Sequence, residues 1–154
     1  MATTTVRAPA KSFQPLRAIL ERGATGAGIA VIVNTLLLVL GDRFVAIPAG
    51  FEPLSIGSVV TASAVGALAA TAVYAVLDRV VDETDRTFTV VAAAVLLLSL
   101  VPIFAVAPTM AAGVGPGVLG LLVLMHVAVA AASVGTLTHA EIFEREFGER
   151  DEAP

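Results

Sequence analysis

Apolar residues gather in four uninterrupted runs, at 24–40, 56–77, 88–107 and 117–137, separated by short polar connectors. None of the four holds an Asp, Glu, Lys or Arg. Each is close to the ~20 helical residues that cross a bilayer's hydrocarbon core. A helix on the surface of a soluble domain keeps a polar face every 3.6 residues, and these runs keep none. The pattern predicts an all-α, polytopic membrane protein: a four-transmembrane-helix bundle over residues 24–137, with its partner the lipid bilayer.

The flanks and connectors carry their own signals. Residues 1–23 read as an arm in which Phe13, Leu16, Ile19 and Leu20 recur at helical spacing, opposite Arg17, Glu21 and Arg22. That stretch is either an amphipathic segment lying in the interface, with Gly23 turning the chain inward, or a plain extension of the first helix. The connector 41–55 mixes Pro48, Gly50 and Pro53 with apolar Phe44, Val45, Ile47 and Phe51, which predicts a loop folded back over the helix ends. Residues 78–87 read as a solvated acidic turn in which Asp85 or Thr87 caps the third helix. Pro116 is placed to begin the fourth. Residues 138–154 form an acidic tail, and the fourth helix is expected to run on over 138–147, where Glu141 precedes Arg145 by one turn.

Lys and Arg set the expected orientation. Arg7, Lys11, Arg17, Arg22, Arg79, Arg86, Arg145 and Arg150 fall on one side of the spans and only Arg43 on the other, eight against one. Both termini are therefore expected in the cytoplasm, with the bundle in the cytoplasmic membrane. The first apolar run is longer and lies deeper in the chain than the hydrophobic part of a cleaved signal peptide, so it is expected to stay.

Composition agrees: 57% of residues are hydrophobic and 14% charged, and the mean hydropathy is +0.92. Cysteine is absent, which excludes disulfides, thiolate metal sites and cysteine nucleophiles. Tryptophan is absent and Tyr74 is the sole tyrosine, so the interfacial aromatic belt is thin. No single-sign basic patch is present, so nucleic acid is not an expected partner.

Candidate chemistry is confined to a few polar residues at membrane depth. Asn34 in the first run, Gly66 in the second, Ser99 in the third and His126 in the fourth each lie ten or eleven residues from the cytoplasmic end of their run. At 1.5 Å per residue that is roughly 15–17 Å deep, near the bilayer midplane. Lipid offers no hydrogen bonds, so such groups are expected to face inward and satisfy one another. A functional site around His126 and a set of interhelical bonds that fix register are the two accounts. The second is preferred, because the carboxylate of a proton relay, the second axial ligand of a haem and a ligand set for zinc are all missing. Neither a cofactor nor a metal is expected.

Ser58, Ala62, Gly66 and Ala70 recur every four residues, a small-residue stripe suited to helix packing. Pro102 removes a backbone donor and is expected to kink the third helix. Residues 115–120 match G-x-G-x-x-G, but no strand precedes them and no acid follows about twenty residues on, so they read as the entrance to a helix. His139 with Glu141 is too small a fragment to be a metal site.

Two segments carry a resemblance. Arg86-Thr87-Phe88-Thr89-Val90-Val91-Ala92 leads into Leu96-Leu97-Leu98-Ser99-Leu100-Val101-Pro102, and Leu122-Val123-Leu124-Met125-His126-Val127-Ala128 follows. The chain from about residue 23 to 137 resembles a family of small four-helix membrane proteins from halophilic archaea and actinobacteria, catalogued as a domain of unknown function. The resemblance implies the architecture and no activity. One Lys against eight Arg, with an acidic tail, also suits a halophile. The leading expectation is a non-enzymatic membrane protein acting as an accessory or scaffold subunit, with a membrane-protein partner or a second copy of itself. The alternative is a small transporter or binder of a lipophilic ligand at the midplane polar layer.

Overall fold

Each apolar run becomes a helix, and each helix runs beyond its apolar run. The computed structural model describes residues 13–139; of the segment 138–154, only Thr138 and His139 are among them. Helix α1 spans Leu16–Gly41, α2 Ile56–Val80, α3 Thr84–Ala105, α4 Ala107–Met110 and α5 Pro116–Thr138. The short α4 follows α3 after the single residue Val106, so Thr84–Met110 counts as one of four stretches long and apolar enough to cross a membrane.

Of the two readings of the first segment, the extension is the observed one: α1 is continuous through Gly23, which is buried inside the helix. Pro116 opens α5, where its missing N–H is no loss. Ser55 caps α2, its hydroxyl accepting from the Ser58 amide at 3.2 Å. The expected cap on α3 is not made, because the Asp85 carboxylate accepts from the Tyr74 hydroxyl instead. Regular α3 ends three residues past Pro102.

Burial picks one line of residues from each helix. In α1 it is Ile19, Gly23, Gly26, Ala30, Asn34 and Leu38, and in α2 Val59, Ser63, Ala67, Thr71, Tyr74 and Asp78. Both lines step by three or four residues, the spacing of a single helix face. Helix α5 buries Val118, Leu121, Leu122 and Met125, then Ser133, Thr136 and Leu137. These three helices form the tight part of the bundle, and α3 stands outside it, leaning on α5 more than on α2. Only 11% of the α3 window is buried, against 28% for each other helix. Its Val95, Leu97, Leu98 and Val101 are all exposed, as lipid-facing side chains are.

The closest packing uses α1 glycines. A Cβ on Gly23 would fall 2.2 Å from Thr71 Oγ1, and one on Gly26 would fall 2.5 Å from Thr136 Oγ1. The connector 41–55 does fold back: Phe51 and Leu54 are buried, and Val45 and Ile47 pack on the same core, while Phe44 stays exposed.

The other end of the bundle is held by a polar clasp that takes in Asp78 and Asp85, while Asp82, Glu83 and Arg86 of the same turn are exposed. Asp78 is 2% exposed and accepts the Gln14 amide at 3.1 Å. Tyr74 is fully buried; its hydroxyl donates to Asp85 Oδ1 at 2.6 Å and accepts from Gln14 Nε2 at 3.2 Å. Its ring meets Phe88 edge-on, with centroids 5.2 Å apart. Arg22 donates to the Leu137 carbonyl at 3.0 Å and to the Gln14 side chain, lying 5.9 Å from the Tyr74 ring centre. One set of contacts thus ties the start of α1 to α2, α3 and the end of α5.

Candidate functional site

A cavity of about 280 Å³ opens where α3 stands away from the other helices. Asn34, Gly66, Ser99 and His126 all line it, one from each long helix. The common depth expected from the sequence is therefore also a common place. Ala62 and Ala70 line it too, so three members of the small-residue stripe form its wall, while Ser58 hydrogen-bonds with Ser55 at the head of α2. On that wall a Cβ at Gly66 would meet only the Val129 side chain, at 3.3 Å. Val95 lines the cavity and is 57% exposed, so the cavity reaches the outer surface of the bundle beside α3.

The polar side chains do not satisfy one another across the four helices. Asn34 Nδ2 donates to Ser63 Oγ at 2.8 Å and to the Met125 carbonyl at 3.2 Å. A carbonyl only accepts, so this contact fixes which end of the amide is nitrogen. Ser63 passes its own proton to the Val59 carbonyl at 2.7 Å. Ser99 donates to the Leu96 carbonyl at 2.7 Å. His126 Nδ1 lies 2.8 Å from the Leu122 carbonyl, which only accepts, so Nδ1 carries a proton there. Two buried oxygens have no partner among the described residues, Asn34 Oδ1 and Ser133 Oγ. Both residues are 3% exposed and both line the cavity.

Ser63 and Ser133 are the polar residues that a one-per-helix inventory passes over. Register could have found Ser63. Asn34 is seven residues before the end of α1 and Ser63 seven after the start of α2, so the antiparallel pair comes level. Nothing in the sequence marks Ser133, because a helix serine ordinarily bonds its own backbone.

A second hollow, about 750 Å³, lies at the end bearing the 41–55 connector, lined by Leu37, Leu40, Phe44, Phe104, Leu119 and Leu124 among others. Its lining is almost wholly apolar, with no side chain to recognise a polar group. Among the described residues no group of three His, Asp or Glu side chains is placed to hold a metal ion.

Four helices long and apolar enough to cross a membrane, with a small cavity lined by a few polar groups between them, fit a small multi-pass membrane protein of the four-helix kind. Residues 14–141 match DUF6069, a family of unknown function, and the chain belongs to that family. No curated protein and no solved structure matches it.

Proposed function

We propose that the protein is a non-enzymatic membrane component that holds a small lipophilic molecule in the cavity between α2, α3 and α5. The observation that carries this reading is the cavity itself. It sits at mid-depth and is walled by small residues of α2, with a handful of polar atoms on an otherwise apolar lining. Binding sites for small molecules have this composition, and its volume is close to the lower end of their range, about 300 Å³. A bundle that needed only stability would close such a space with larger side chains, since voids cost contacts on every wall. The exposed Val95 at the rim lets a ligand arrive from the bilayer. With eight of nine cationic side chains on the side of the termini, the bundle sits in the cytoplasmic membrane with both ends inside.

The test is native mass spectrometry of the protein extracted in mild detergent, beside an Ala92→Phe variant. Ala92 lines the cavity from the loosely packed helix α3, where a larger ring fills space without entering the tight core. The expected result is a small molecule carried by the lone chain and reduced at least tenfold in the variant. A bare chain bound at fixed ratio to a second polypeptide would replace this reading with that of an accessory subunit.

A further inference from the structure

We propose that the cavity selects a neutral hydrogen-bond donor, a lipophilic alcohol or phenol; the inference rests on the reading above. Every charged side chain is absent from the lining, so neither a carboxylate nor an ammonium group would find its counter-ion there. The uncommitted polar atoms are nearly all acceptors. Asn34 Oδ1 accepts only, and its amide nitrogen is already spent on Ser63 and Met125. His126 Nδ1 is spent on the Leu122 carbonyl, so a neutral ring presents Nε2 as an acceptor. Ser99 has given its proton to Leu96 and keeps only lone pairs.

Ser133 makes the point by contrast. Thr35, Ser63, Thr71, Thr136 and Thr138 each donate to a carbonyl one turn back on their own helix, at 2.7–2.9 Å. Among the described residues, Ser133 alone of the buried hydroxyls leaves its oxygen without a partner. In a membrane interior an unsatisfied polar group finds no water to repair it. A ligand O–H donated to Asn34 Oδ1 repairs one such atom, and a ligand oxygen within reach of Ser133 repairs the other. A ketone or ether of the same shape has no proton to offer Asn34, and a site built to bond a hydroxyl rejects the analogue that lacks it.

The discriminating experiment titrates the full chain in detergent micelles with 4-propylphenol and with its methyl ether, by calorimetry, at matched micellar mole fractions. The expected result is at least tenfold tighter binding of the phenol. Asn34→Leu brings the phenol down to the level of the ether. Ser133→Ala, which has no bond to lose, weakens the phenol several-fold and keeps the test available should Asn34→Leu not fold. Equal affinity for the two probes, or a tighter ether, overturns the donor preference and leaves the ligand-binding reading standing. Failure of both probes to bind, with Ala92→Phe indistinguishable from the unmodified chain, overturns both.

Discussion

Of the described glycines, Gly23 is the one where an added side chain meets the closest contact. A methyl group there would sit 2.2 Å from one Thr71 side-chain atom and 2.3 Å from another, in the line where α1 crosses α2. Overpacking of this kind typically costs about 1–3 kcal/mol. Gly23→Ala is therefore expected to lower the thermal unfolding midpoint in detergent, and Thr71→Ala in the same chain to recover much of the loss. Independent, additive losses in the double variant would show that the two residues do not share this contact. Gly66 sits differently, for its Cβ would meet a single movable side-chain atom. The sequence contains both glycines with equal prominence. Only the register of α1 on α2 tells the crossing point from the cavity wall.

Helix α3 is held mainly at its ends, with Thr84 and Phe88 buried at one end and Ile103 near the other. Between them the exposed Val90, Val95, Leu97 and Leu98 look outward, and the cavity lies beneath. The Tyr74 hydroxyl bonded to Asp85 is a polar link from α2 to the start of α3. Hydrogen bonds to charged groups contribute about 1.5–3 kcal/mol. Tyr74→Phe keeps the edge-on ring contact with Phe88 and loses that link. The expected outcome is faster amide hydrogen exchange over 84–92 and at the start of α1, whose Gln14 contact is lost with the hydroxyl, with exchange over 26–41 unchanged. Uniform acceleration throughout the bundle would mean that α3 does not move as a separate unit. The sequence reading of 78–87 as a solvated turn missed the clasp because its acids look alike in one dimension. Asp82 and Glu83 do face water, whereas Asp78 lies on the buried face of α2, four residues beyond Tyr74.

At the scale of the whole molecule, the bundle places its 41–55 connector at one end and the Gln14–Tyr74–Asp85 clasp at the other. The absence of native cysteine makes the orientation directly measurable, since any introduced thiol is unique. Ala49→Cys and Asp82→Cys fall at exposed positions on opposite ends. A membrane-impermeant maleimide is expected to label position 49 in intact cells and position 82 only after permeabilisation. The reverse pattern would invert the bundle and with it the weight given to the eight cationic residues.

The sequence by itself determined the number of long helices, their approximate bounds and their apolar outer surface. Bilayer thickness sets the length of an apolar run, and unsatisfied backbone in lipid forces that run to be helical. It also gave the shared depth of Asn34, Gly66, Ser99 and His126, because depth is a count along a helix of fixed rise. What only the tertiary structure decided is azimuth and partnership. A run that is hydrophobic all round has little moment to say which face turns inward. The small residues on α2 could have seated a neighbouring backbone, and the displacement of α3 makes three of them a cavity wall instead. Likewise Ser63 accepts from Asn34, while Ser133 Oγ has no partner among the described residues. Both are serines in apolar helices, and their difference exists only across the helix seams.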